Sequence, residues 1–155
     1  MYKLLFTVTM LIAGQFMLIG QQNYTWDEYG LKFTLADDFV EERNDAEEFS
    51  AAGDGMYFSI FPFKDETIDE SDITSYTIEI AASLNLQEVD DVDVMNINKF
   101  KGGYVEGYMD GMRVFLMGLI DPNSDTNFFV LITFLDHDNV ATDEAVRMVK
   151  SIKKI

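Results

Sequence analysis

The run "GGYVEGYMDGMRVFLMGLI", Gly102 to Ile120, sets Asp110-Gly111 between two apolar stretches. Asp and Gly tolerate the positive φ that a type I′ turn requires at both central positions, so this dipeptide between hydrophobic runs is the strongest short-range hairpin signal. It predicts paired strands from about Gly103 to Met109 and from Met112 to Ile120. The loop "DPNSDTN" then leads into "FFVLITF", Phe128 to Phe134, extending the hairpin to a three-strand antiparallel meander. "MRVFLMGLI" and "FFVLITF" are apolar at even and odd positions alike. Strands with two apolar faces have to be covered on both sides. The rest of the chain must therefore supply two layers of cover for one sheet.

Upstream, "YGLKFTL" alternates Leu31, Phe33 and Leu35 against Lys32 and Thr34, the period of a first strand with one wet face. "ADDFVEERNDAEEF" reads as an acidic connection, and "DGMYFSIFPF" as a second strand from about Met56 to Phe63, entered through a turn at Gly55. In "SDITSYTIEIAASLNL" the residues Ile73, Tyr76, Thr77, Ile80 and Leu84 share one helical face, although the β-branched residues also suit a strand. Ser71 as N-cap and Asp72 in the first turn favour the helix. The C-terminal "TDEAVRMVKSIKKI" is a second helix: Thr142 caps it, Asp143 and Glu144 suit its positive end, and Lys150, Lys153 and Lys154 its negative end. Ala145, Met148, Val149 and Ile152 form its buried stripe. One helix per sheet face is the economical cover. The expected fold class is α/β in the α+β sense, a mainly antiparallel sheet with a C-terminal three-strand meander and helices packed on both faces as an α-β-α sandwich.

The first twenty residues, "MYKLLFTVTMLIAGQFMLIG", have a basic start at Lys3, an almost uncharged apolar stretch and the small Gly20 before Gln21-Gln22, the pattern of a secretory signal peptide. Leu4 to Gly20 is short of the ~20 apolar residues that a membrane span needs and is interrupted by Gln15. The expected organisation is a signal peptide over 1–20 and a single domain over 21–155, secreted or periplasmic after cleavage near Gly20. The chain has no cysteine, so neither a lipidated cysteine nor a disulfide is expected, and an ordinary apolar core must hold it together. Loss of Lys3 with the leader takes the formal net charge from −17 to −18. Such acidity excludes nucleic acid and anionic membrane surfaces as partners, since both demand a basic footprint.

The succession of an apolar leader, "YGLKFTLADDF", a second strand, a helix, the glycine-started "GGYVEGY" and a final helix ending "SIKKI" resembles the PsbP-like and DcrB-like α-β-α sandwich proteins across nearly the whole mature chain. This chain has Ala36-Asp37-Asp38 where members often place a proline-containing turn after the first strand. The resemblance implies a non-enzymatic accessory or partner-binding protein of the bacterial envelope. It carries over no site residues, because fold does not fix function.

Four constellations bear on chemistry. His137, the only histidine, stands between Asp136 and Asp138 in "LDHDN", with no second histidine or cysteine to complete a metal site; turn-forming residues between strand and helix explain the cluster. In "DPNSDTN" the oxygen-bearing Asp121, Asn123 and Asp125 begin like a calcium loop, but Thr126 and Ile132 stand where the glycine and the glutamate of a helix-flanked calcium loop belong. Calcium is thus the one candidate cofactor. For nucleophilic catalysis Ser59, Ser83, Ser124 and Ser151 are the serines considered with His137, and none sits in a Gly-x-Ser-x-Gly elbow. Gly102, Gly103 and Gly107 do not lead a strand into a helix, which leaves a phosphate cradle unsupported. No catalytic or cofactor-binding residue is therefore expected. The leading expectation is a non-enzymatic accessory module with a protein or small-ligand partner, ahead of a divalent-cation binder and then a hydrolase. The aromatics and methionines of the meander are expected to be core, and to become a ligand groove or partner surface wherever a sheet face is left uncovered.

Overall fold

Asp110 and Gly111 take φ values of 52° and 79°, and the chain reverses on them. The strands they join pair from Met109–Met112 out to Lys101–Ile120 without a register shift. The computed structural model describes residues 20–53, 55–64, 68, 70–90, 92–135 and 139–155. The cluster Asp136-His137-Asp138 and nearly all of the apolar leader lie outside the described residues.

Among the described residues there are ten strands and two α-helices: β1 (Gln21–Trp26), β2 (Leu31–Ala36), β3 (Val40–Asn44), β4 (Phe49–Gly53), β5 (Met56–Lys64), α1 (Ile73–Ser83), β6 (Asp93–Val94), β7 (Lys101–Met109), β8 (Met112–Ile120), β9 (Thr126–Leu135), α2 (Asn139–Lys150) and β10 (Lys153–Lys154). Seven form one sheet in the order β3-β4-β5-β9-β8-β7-β6, and three form a small sheet, β1-β2-β10. Every named pairing is antiparallel. The fold is α+β and mainly antiparallel, with the β7-β8-β9 meander inside the large sheet.

The pleat of the large sheet sorts its residues into two cores. Phe58 and Ile60 of β5, Phe115, Met117 and Leu119 of β8, and Phe128, Val130 and Ile132 of β9 share a core with Trp26 of β1, Leu31, Phe33 and Leu35 of β2, and Ala145, Met148 and Val149 of α2. The intervening residues, Val105 of β7 and Leu116 of β8, lie in a second core with Ile80 and Ala81 of α1, against which Phe129 and Leu131 pack. Alternate side chains of a strand point to opposite faces, so these two cores belong to opposite sides of the sheet. Cover on the first side therefore comes from a second sheet as well as a helix. The expectation of one helix per face left no place for that small sheet.

Helix α1 sits where the sheet is smoothest. Gly103 and Gly118 pair across β7 and β8, and a Cβ at Gly118 would lie 2.9 Å from both Ile73 Cδ1 and Thr77 Oγ1. Side chains are absent at both positions so that the helix can approach the strands. Buried Thr77 satisfies its hydroxyl on the Ile73 carbonyl at 2.8 Å and lies 3.2 Å from that of Gly103.

Several boundaries differ from those expected of the sequence. "YGLKFTL" is the second strand, paired along its length with β1. The acidic stretch after it holds β3, an edge strand exposed at every position, with a register shift between Glu41 and Arg43. A 3-10 turn, Glu70–Asp72, precedes α1, and Asp72 rather than Ser71 occupies its cap position. Helix α2 starts at Asn139, which puts Thr142 inside it, and Lys153 and Lys154 leave the helix to pair with Lys32 and Leu31 of β2. Ser151 marks the exit: its Oγ donates to the Met148 carbonyl at 2.6 Å and accepts the Thr34 N–H at 2.8 Å.

Candidate binding surface

Loop 121–125 turns the meander between β8 and β9. Asp121 is buried; its N–H donates to Asn127 Oδ1 at 3.0 Å, and its Oδ1 accepts the Asn123 N–H at 3.0 Å. Its Oδ2 lies 3.0 Å from Lys154 Nζ, the cation that β10 brings in from the end of the chain. Lys154 also stands 5.8 Å from the centroid of the Phe128 ring. Asn123 and Asp125 are exposed, and Asp125 Oδ1 accepts from the Thr126 hydroxyl at 3.3 Å. Both oxygens of Asp121 are thus engaged within the chain. Among the described residues no three histidine, aspartate or glutamate side chains converge as a metal-binding group.

The serines considered as nucleophiles are likewise engaged. Ser59 is buried and donates to Glu48 Oε1 at 3.0 Å, and Ser83 donates to the Ile80 carbonyl at 2.7 Å. Ser124 Oγ accepts the Thr126 N–H at 3.1 Å. With Ser151 at the exit of α2, each holds local structure together.

A surface that sequence reasoning did not locate lies on the α1 side of the large sheet. Helix α1 packs on β7 and β8. Beyond it, Tyr57, Phe61 and Phe63 point from β5 to that same side, each only half-buried. The register sets Phe61 opposite Phe129 and Ser59 opposite Leu131, so these strands present one continuous shelf. Phe61 stacks on Phe129 with ring centroids 5.1 Å apart, and Phe63 stacks on Tyr76 of α1 at 4.6 Å. The signal was the alternation in "YFSIFPF" itself, in which Tyr57, Phe61 and Phe63 fall on the face opposite Phe58 and Ile60. What the alternation could not reveal is how little of β5 the helix covers: α1 packs mainly on β7 and β8 and reaches β5 through Tyr76.

An acidic turn borders this shelf. Between β3 and β4, Arg43 reaches Asp45 Oδ2 at 2.6 Å, Glu47 Oε2 at 2.5 Å and Glu48 Oε2 at 3.2 Å. Asp45 Oδ1 accepts the N–H groups of Glu47 at 2.8 Å and Glu48 at 3.1 Å, the bonding by which aspartate side chains close a turn. The Arg43 hydrogen bond, then these backbone donors, hold the Asp45 carboxyl below its usual range. The small sheet grips the turn from behind: Trp26 Nε1 donates to the Asp45 carbonyl and the Tyr29 hydroxyl to that of Ala46, both at 2.6 Å. Buried aromatics with a polar tip find a partner for it, and here the partner is this turn. Held so, Glu48 sets Oε1 within 3.4 Å of the Tyr57 hydroxyl, at the end of the aromatic shelf.

No family model matches the sequence, and no curated protein matches it. Solved structures match by shape. The yeast Ran-binding protein Mog1p, from Saccharomyces cerevisiae, superposes with a TM-score of 0.62 at 9% identity over 88% of this chain and 96% of that one. The solution structure of cyanobacterial PsbP (CyanoP) from Synechocystis sp. PCC 6803 has a TM-score of 0.59 at 8% identity, over 92% and 96%. LpqN of Mycobacterium tuberculosis, described as involved in cell envelope biogenesis, has a TM-score of 0.55 at 13% identity, over 86% and 89%. This chain also spans about half the length, 49%, of a Bacteroides thetaiotaomicron protein that it resembles with a TM-score of 0.56. At such identities the likeness shows the fold alone, and that fold is PsbP-like, as "YGLKFTL" and "GGYVEGY" implied.

Proposed function

We propose that the chain is a non-enzymatic accessory protein that binds a partner outside the cytoplasm, and that it binds on the aromatic shelf of β5 and β9. The observation that carries this is the asymmetry of the large sheet. On one face Phe58, Phe115, Phe128 and Ile132 are at 0% exposure, while Tyr57, Phe61, Phe63 and Phe129 on the other are only partly buried. Contiguous apolar surface left open on a soluble protein marks an interaction site. The description of LpqN as involved in cell envelope biogenesis supports the location, as does the leader-like pattern of residues 1–20. In the same reading the layers are those of an α-β-α sandwich, with α1 on one side of the sheet and α2 beside the small sheet on the other.

The test expresses the full chain in a bacterial host with a photo-reactive phenylalanine analogue scanned over exposed positions. The expected result is a mature protein that begins at Gln21, found outside the cytoplasm, and that forms one discrete protein adduct. A chain that stays cytoplasmic with its leader attached contradicts the location, and the absence of any adduct contradicts the binding role.

Calcium at Asp121, Asn123 and Asp125 stands as a lesser proposal. An ion there would have to take the place that Lys154 Nζ holds against Asp121. A calcium-dependent rise in Tm that is lost in Asp121→Asn supports it, because a ligand that binds only the folded state raises stability by mass action. A flat titration removes it.

A further inference from the structure

Resting on the binding role proposed above, we infer that the occupant of the shelf is a cationic segment of a partner polypeptide, one that carries arginine or lysine beside apolar side chains. Two independent features converge on this. The shelf offers stacked, only partly buried rings in Phe61 and Phe129, and guanidinium and ammonium groups are drawn to the faces of such rings. At its end the turn carries three carboxylates, those of Asp45, Glu47 and Glu48, around the single Arg43. The turn therefore keeps net negative charge next to the rings, and Glu48, bonded to both Tyr57 and Ser59, links the two. The whole chain, at −17, attracts cations over a longer range and speeds their approach. That same charge argues against a second copy of the chain, because two such molecules repel. Arg43 shows in miniature what the turn does with a guanidinium.

The test uses the mature chain, Gln21 to Ile155, and as probe a short synthetic peptide alternating arginine and leucine, with its glutamate–leucine counterpart as control. Amide chemical shifts are followed by NMR during titration. The expected result is that the basic peptide perturbs β5, β9 and the 45–48 turn, that binding weakens as salt rises, and that Phe61→Ser weakens it tenfold or more. Glu48→Gln, which leaves the rings in place, is expected to weaken it less but measurably. Ile78→Ser, on the exposed side of α1, is expected to leave it unchanged. Equal binding by wild type, Phe61→Ser and Glu48→Gln means that the peptide meets the acidic surface at large and overturns the inference. So does a dimer in sedimentation that Phe61→Ser dissociates, which makes a second copy the occupant, or a neutral glucan oligosaccharide that perturbs the same amides while the peptide does not. Should the peptide fail while photo-adducts form from Ile78 or Val94, the shelf assignment falls and the binding role stands. Failure of both removes the two together.

Discussion

The two faces of the seven-stranded sheet are built from the same strands and have opposite fates. On the side of the small sheet, Phe58, Phe115, Phe128, Val130 and Ile132 interlock with Trp26, Phe33 and α2 until nothing of them is exposed. On the other side α1 packs mainly on β7 and β8, reaching β5 through the Tyr76–Phe63 stack, and the β5 and β9 aromatics stay only partly buried. A strand residue and its neighbour differ only in the side to which they point, so this contrast isolates what cover does. The closed face carries stability, and the open one is free to carry recognition.

The largest effect is expected where the closed face is densest. Phe128 lies 6.1 Å from Trp26, 5.6 Å from Tyr29 and 6.0 Å from Phe100, centroid to centroid. Phe128→Ala should cost about 3–5 kcal/mol in denaturant unfolding, the usual penalty for a cavity left by a buried ring. A loss below about 1 kcal/mol would mean that the face is not closed. Next comes the covered part of the open side. Gly118→Val drives a side chain into Ile73 and Thr77, and should lower stability by about 1–3 kcal/mol while detaching α1 first. Hydrogen exchange reads this as faster amide exchange in α1 than in α2.

A smaller effect is expected at the clasp between the small sheet and the meander. Lys154→Met leaves the buried Asp121 carboxylate with the Asn123 N–H but without its cation, at a cost of about 1–2 kcal/mol. Smallest is the contribution of Asp45. Its carboxyl is held below the ordinary range by Arg43, so what it adds is fully present above the unfolded value near ~3.9 and is lost as pH falls through the depressed folded value. A side-chain NMR titration should find its midpoint below the ordinary aspartate value, and should find that depression lost in Arg43→Met; an ordinary or higher midpoint would contradict the Arg43 network.

Local chemistry made much of the fold legible. Asp110-Gly111 sets the β7–β8 register by itself, the alternation of Leu31, Phe33 and Leu35 marks β2, and Ala145, Met148 and Val149 mark the buried stripe of α2. What stayed hidden depends on partners far away in the chain. Strand β3 is charged and exposed throughout, so it has no apolar period and exists through its pairing with β4. Strand β1 shows its period only in Tyr24 and Trp26, next to the expected cleavage point, and β10 has two lysines whose strand character comes entirely from β2. The oxygens of Asp121 were visible in "DPNSDTN", but Lys154 and the fold that brings it there were not. The shelf was hidden for the same reason: its aromatics are apparent in "YFSIFPF", and only the packing of α1 decides whether they are core or surface.

The most direct test of the contrast between the faces is a matched pair on β5. Phe58 and Phe61 belong to one strand and point to opposite sides, the first at 0% exposure and the second half-buried. Denaturant unfolding of Phe58→Ala and Phe61→Ala, measured side by side, is expected to show a loss of about 3–5 kcal/mol for the first and below about 1.5 kcal/mol for the second. Equal losses would mean that both faces are core, and with that the open shelf and the binding role built on it would fall.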